Sequence, residues 1–278
     1  MAHLTRRSAA AGLLALTASP ALAAPDFAAL DGGGTLQVFV LDTGSGRTLS
    51  YRADQRALMC STFKVLAVGA VLARVDRRAE SLDRRIAFGQ ADLLPYSPVT
   101  TARVGEGRMT VEDLCAAMIQ ASDNTAANLV MDSLGGPPAV TAFARSLGDK
   151  AFRLDRRETE LNLRSGDLDT TTPRAMARSL KSLLLGKSLS AVSRFRLENW
   201  MQTSTPGARR LRAGLPKDWV VGTKAGGGPD QTNDLAIVRP PGRKPILIAA
   251  YYHEPTNPPR SPEDVLADVG RIVAAWAQ

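Results

Sequence analysis

Ser61-Thr62-Phe63-Lys64 places a serine hydroxyl and a lysine amine three residues apart, at the start of an apolar run over residues 62–75 that reads as a helix. Residues i and i+3 share a helix face, so Lys64 is expected one turn behind Ser61 and within reach of its hydroxyl. A serine hydroxyl is a poor nucleophile until a base takes its proton. The backbone N–H groups of a helix N-terminus also suit a developing oxyanion. Taken alone, an N-capping serine followed by a surface lysine accounts for the same four residues.

Three more groups follow in order. Ser122-Asp123-Asn124 comes after a helix expected to end near Ala121, and by itself is a polar, helix-terminating turn. Arg156-Arg157-Glu158-Thr159-Glu160-Leu161-Asn162 lies in a charged segment without helical periodicity, where a solvated loop is the plain expectation. Lys224-Ala225-Gly226 ends a strand and enters the run Gly226-Gly227-Gly228, expected to form a hairpin turn. Each has an ordinary structural explanation. Their joint occurrence in this order does not.

The set resembles the class A serine β-lactamases of the penicillin-recognising serine hydrolase superfamily, whose motifs are S-x-x-K, S-D-N and K-T-G. The resemblance covers essentially the whole chain after the leader, because Pro95-Tyr96-Ser97-Pro98-Val99-Thr100, Asp169-Thr170-Thr171-Thr172-Pro173 and Gly214-Leu215-Pro216 also look like family segments. It implies hydrolysis of the β-lactam amide through an acyl-enzyme on Ser61. The backbone N–H groups of Ser61 and Gly227 would form the oxyanion hole. Lys64, and Glu158 acting through a water held by Asn162, are the two candidate bases, with Glu158 serving deacylation. Ser122 would pass a proton to the departing ring nitrogen, Asn124 would bind the substrate's amide side chain, and Tyr96 would line the entrance. Lys224, Ala225 and Gly226 would border the substrate. Arg156 and Asp169 would bridge the ends of the Glu158 loop.

The chain departs from the family pattern twice. Ala225 stands where the pattern has a hydroxyl that helps bind the substrate carboxylate. Arg210, in the run Arg209-Arg210-Leu211-Arg212, occupies a place where some family members put a second guanidinium beside that carboxylate, and it could partly offset the loss. Cys115 matches one half of a common family disulfide, but the other half falls at Val68. A different bridge, found in carbapenem-hydrolysing relatives, would need a cysteine at Gly228. Cys60 and Cys115 are therefore expected unpaired and buried.

The elements that must position these groups run strands, helices, strands. Residues 37–41 and 47–51 flank the Gly-rich Asp42-Thr43-Gly44-Ser45-Gly46, and residues 219–224, 234–238 and 246–251 form three further strands. Ser261-Pro262 opens a last amphipathic helix to Ala277, while Thr110 and Thr172-Pro173 open two central ones. The economical fold is α/β, of the α+β kind. A five-stranded antiparallel sheet with packed terminal helices (24–58 and 212–278) holds an inserted all-helical domain (59–211, including the 155–170 loop), with the active site between them.

The 278 residues are 44% hydrophobic and 22% charged, an ordinary globular composition that excludes disordered and fibrous classes. Residues 1–23 read as a signal peptide, with Arg6-Arg7, a small apolar stretch over 8–22 and an Ala21-Leu22-Ala23 cleavage site. Export to the periplasm or medium follows, by the general or twin-arginine route, without stable membrane insertion after cleavage. The formal charge of +8 raises nucleic acid as a partner, but the basic residues are interspersed with acids, as in Asp155-Arg156-Arg157-Glu158, and a solvated basic surface is expected. The expected partner is a small-molecule β-lactam, bound by a monomer without metal or cofactor. With only His3 and His253, a Ser-His-Asp triad or His-rich zinc site has no residues to use. Asp42-Thr43-Gly44 lacks the second such motif of an aspartic protease, and Gly186-Lys187-Ser188 lacks the earlier glycine of a phosphate loop, where Lys181 stands. Two other functions fit the same residues: a penicillin-binding D,D-peptidase or esterase, and a weakly active homologue that binds β-lactam or peptidoglycan.

Overall fold

The computed structural model describes residues 26–278, so the signal-peptide expectation for 1–23 lies outside the described residues. Five strands make the main sheet: β1 (Thr35–Asp42), β2 (Thr48–Tyr51), β3 (Val220–Gly228), β4 (Gln231–Arg239) and β5 (Ile246–His253). They are antiparallel in the order β2-β1-β5-β4-β3, so the two ends of the chain meet where β1 pairs β5 from Thr35↔His253 to Asp42↔Ile246. Side chains of a strand alternate between faces. Accordingly Leu36, Val38 and Val40 join one core with Ile248, Ala250 and the C-terminal helix, while Phe39 joins the other with Ala249, Tyr251 and the helical body. Burial on both faces explains why β1 and β5 read as nearly continuous apolar runs.

The longer helices are α1 (Lys64–Asp76), α2 (Val111–Gln120), α3 (Asn124–Leu134), α4 (Pro137–Ser146), α5 (Pro173–Leu184), α6 (Ala191–Gln202) and α7 (Pro262–Trp276), with short helices, among them Pro98–Ala102 and Leu211–Gly214, and turns between. Helix α1 is buried on all sides from Lys64 to Ala73, as a central helix hydrophobic all round must be. Thr110 and Thr172 cap α2 and α5, their hydroxyls accepting from the Asp113 and Ala175 amides. Among the described residues, no helix is long and apolar enough to cross a membrane.

Three local expectations are corrected. Ser61 lies in a 3-10 turn, Cys60–Phe63, and the α-helix begins only at Lys64. Ser261 makes no side-chain cap, although Pro262 does occupy the first turn of α7. The run Gly226-Gly227-Gly228 is strand rather than hairpin turn, paired with Asn233, Thr232 and Gln231. A Cβ on Gly226 would come within 2.9 Å of the Met59 carbonyl oxygen, so glycine serves there to bring β3 against the segment before Ser61. Cys60 and Cys115 are both free and buried, and burial pushes both thiols up.

Candidate active site

The edge strand β3 and the turn before α1 meet at a cleft of about 290 Å³ lined by Ser61, Tyr96, Ser122, Asn124, Asn162, Pro206, Arg210, Ala225, Gly226 and Gly227. Backbone in the left-handed region at Cys60, Tyr96 and Ser122 turns the chain sharply at three points around it. Such conformations cost energy and persist where the surrounding structure overdetermines them.

Lys64 is completely buried, and its Nζ donates to the Ser122 carbonyl oxygen (2.8 Å), Asn124 Oδ1 (2.8 Å) and Glu158 Oε1 (3.0 Å). Those contacts use the three protons of an ammonium. The expected contact between Lys64 and the Ser61 hydroxyl is absent, although the two are neighbours as predicted. Instead Ser61 Oγ donates to Glu158 Oε1 at 3.3 Å, so one carboxylate oxygen faces both groups. Burial lowers the affinity of Lys64 for its proton, opposed by the Glu158 charge and hydrogen bond.

Glu158 is held at several points. Asn162 Nδ2 donates to its Oε2 at 2.7 Å. Its backbone is clamped by Asn128, whose Oδ1 accepts from the Glu158 amide (3.0 Å) while Nδ2 donates to the Glu158 carbonyl (2.9 Å). The loop ends are tied by Arg156 Nε on Asp169 Oδ2 at 2.6 Å, with the Asp155 and Arg156 amides on the same carboxylate. Asn162 Oδ1 is buried without a hydrogen-bond partner in the protein.

On the opposite wall, Lys224 Nζ donates to Ser122 Oγ (2.9 Å) and the Ala225 carbonyl (2.7 Å), and Lys64 lies 3.5 Å from the same hydroxyl. Burial, then the Lys64 charge, push Lys224 well below the usual lysine range. Arg210 Nη1 donates to the carbonyl oxygens of Gly226 (2.6 Å) and Asn233 (2.8 Å), which fixes the guanidinium across β3 rather than in solvent. Tyr96 is exposed at the rim. Asn124 Nδ2 donates to the Pro95 carbonyl, joining the rim to the floor.

The cleft thus gathers all the anticipated residues, with Lys64, Glu158 and Lys224 behind its wall. Several contributors were given no role of their own by the sequence. Asp123 organises Ser122 and Asn124 by capping α3 through the Ala126 amide and accepting from Thr100. Asn128 could have been found one turn after Asn124 on the same helix face. Asn233 Nδ2 bonds the Leu58 and Met59 carbonyls, so β4 helps fix the approach to Ser61.

A buried serine, lysine and glutamate at the junction of an antiparallel sheet and a helical body define the class as a mixed α/β protein with the layout of a serine hydrolase. A model of the beta-lactamase enzyme family matches residues 24–277. The carbapenem-hydrolyzing beta-lactamase KPC of Klebsiella oxytoca is 46% identical over 92% of this chain and 89% of its own. A beta lactamase from Burkholderia vietnamiensis is 50% identical, with a TM-score of 0.88 over 90% of this chain and 94% of that one. An ancestral class A beta-lactamase is 52% identical, with a TM-score of 0.87 over 90% and 97%. The chain belongs to the class A serine β-lactamases. That membership supports hydrolysis of β-lactams as its general activity.

Proposed function

We propose that the protein hydrolyses the β-lactam amide through an acyl-enzyme on Ser61. One observation carries the reading: Glu158 Oε1 faces both Ser61 Oγ and Lys64 Nζ, while Asn162 holds its other oxygen. In acylation Ser61 Oγ attacks the lactam carbonyl and its proton passes to the Glu158 and Lys64 pair. The Ser61 and Gly227 amides receive the oxyanion. As the C–N bond breaks, Ser122 Oγ protonates the ring nitrogen and is resupplied from the adjoining lysines. In deacylation a water between Glu158 Oε2 and the free Asn162 Oδ1 attacks the ester, giving its proton to Glu158 while Ser61 regains its own. A peptidase of the same fold needs no carboxylate in that position, and so Glu158 favours turnover over a stable adduct.

The substrate carboxylate is received by Lys224 and Arg210. Ala225 lines the same wall without a hydroxyl. A hydrogen bond to a charged group is worth about 1.5–3 kcal/mol. Ala225→Thr is therefore expected to raise kcat/KM for penicillins by roughly tenfold or more. An unchanged or lower value would count against this account of the carboxylate site. We also infer that the protein acts as an exported monomer.

The direct test is nitrocefin hydrolysis by the purified protein, with D-Ala release from a peptide measured in parallel. Turnover of nitrocefin with negligible peptide cleavage is expected. Faster D-Ala release would make the protein a D,D-peptidase.

A further inference from the structure

Asp234, midway along β4, has no exposed surface, and neither of its carboxylate oxygens has a well-formed hydrogen bond. A buried carboxylate in that condition is costly while charged. It pairs directly with Ala225 in the β3–β4 ladder. Directly opposed residues present their side chains on the same face. Asp234 therefore lies behind the wall where the substrate carboxylate must be held, and the methyl group of Ala225 cannot donate a hydrogen bond to it.

The segment over residues 207–214 closes that face. A Cβ on Gly207, whose φ is +77°, would come within 2.8 Å of Ala225 Cβ and 3.4 Å of Arg210 Cδ. Arg210 crosses to β3 from this segment, and a Cβ on Gly227 would lie 3.7 Å from its Nη2. Its Nε is also buried without a hydrogen bond, with the nearest carboxylate, that of Glu263 on α7, 3.6 Å away. An unpartnered acid behind the cleft thus feels the charge of an incompletely partnered guanidinium that lines it, without an ion pair between the two.

The charged groups on the Asp234 face are Arg210 and Arg212 from the covering segment, β5 presents Ala250 there, and Lys224 of β3, paired with Leu235, acts on Asp234 only through its charge from the opposite face of the sheet. Burial lifts the carboxyl to about 7 against the pull of Arg210, Lys224, the Leu211 amide and Arg212.

We propose that Asp234 sets the charge behind the carboxylate pocket: neutral, it leaves Arg210 at full strength for an anionic substrate, and ionised, it offsets that guanidinium and weakens capture. The inference rests on the hydrolytic reading for its substrate and adds a positioning residue with a pH dependence. Asp234 acts through Arg210 and does not touch the substrate. The sign follows from the carboxyl: below about pH 7 it is neutral and capture is tight, and above it the charge opposes capture.

The test compares KM for a penicillin between pH 6 and 8 in the wild type and Asp234→Asn. The wild-type KM should rise about fivefold, as a one-unit difference between the free and substrate-bound midpoints implies over this range, with a much smaller change in kcat. Asp234→Asn should keep the low-pH KM throughout. A substrate whose carboxylate is esterified should show no rise in either protein. A parallel rise in Asp234→Asn would assign the effect to Lys224 and overturn the proposal.

Carbon-13 NMR of labelled aspartate in Ser61→Ala supplies a second measurement that needs neither turnover nor a stable Asp234→Asn protein. One carboxyl should titrate near 7, and saturating intact penicillin should move that midpoint upward, because coupling between two sites is reciprocal. A midpoint insensitive to penicillin overturns the proposal. If the wild type turns over no β-lactam but this shift is seen, the hydrolytic reading falls and the role of Asp234 stands. Normal turnover with a pH-independent KM has the opposite meaning.

Discussion

Glu158→Ala is expected to be acylated by penicillin but to release product at least about a thousandfold more slowly, within the range that general acid–base catalysis supplies and adds to water activation. The two half-reactions depend differently on this carboxylate. In acylation Lys64 can replace it. Without its counter-ion the buried Lys64 is driven toward the neutral amine, while the Ser122 carbonyl and Asn124 Oδ1 remain to accept its N–H groups. The same loss removes the carboxylate oxygen that now separates the amine from Ser61 Oγ. Acylation by the variant should therefore increase with pH as Lys64 gives up its proton.

Deacylation has no such substitute, because Asn162 can orient a water but cannot take its proton. Removing one partner of a buried ion pair typically costs about 3–5 kcal/mol while the other stays charged, and neutralisation of Lys64 reduces that cost. The variant is thus expected to fold with a modestly lower Tm. Intact-protein mass spectrometry should show the penicillin adduct persisting after free penicillin is removed. Rapid return to the unmodified mass would show that Glu158 does not activate the water.

What the sequence could and could not convey is visible in particular residues. The short apolar run Val38-Phe39-Val40-Leu41, rich in β-branched and aromatic residues and bounded by the Gly-rich Asp42-Thr43-Gly44, identifies β1 without tertiary information. The caps at Thr110 and Thr172 are equally local. Gly226 is not: a glycine run suggests a turn, and only the Met59 carbonyl, packed against it from a distant segment, reveals a strand needing close approach. Helical spacing likewise brings Lys64 beside Ser61, but the carboxylate between them arrives from a position 97 residues away. Family resemblance named Glu158 without giving its contact. Asp234 was passed over because an acid in a strand ordinarily faces water. Its burial arises from the 207–214 segment and α7 closing over the sheet, which no local pattern encodes.

Lys64→Ala should fail at the earlier step, with kcat/KM reduced by about a thousandfold or more and no adduct accumulating. Lys64 satisfies three buried acceptors at once. Its removal leaves Glu158 as an unpaired carboxylate with a fully buried side chain, still bonded to Asn162 but without the neighbouring positive charge. Glu158 then lacks the ion-pair partner that holds its Oε1 beside the Ser61 hydroxyl. One substitution thereby removes one candidate base and the partner that positions the other. Ser122 also loses the nearby amine that can resupply its proton, leaving only Lys224 at 2.9 Å. Rapid-quench mass spectrometry separates this variant from Glu158→Ala: the glutamate variant should trap penicillin, and the lysine variant should remain unmodified at short times. A Lys64→Ala protein that acylates at the wild-type rate would restrict Lys64 to holding Glu158 and Asn124 in place. Proton removal from Ser61 would then belong to Glu158 alone.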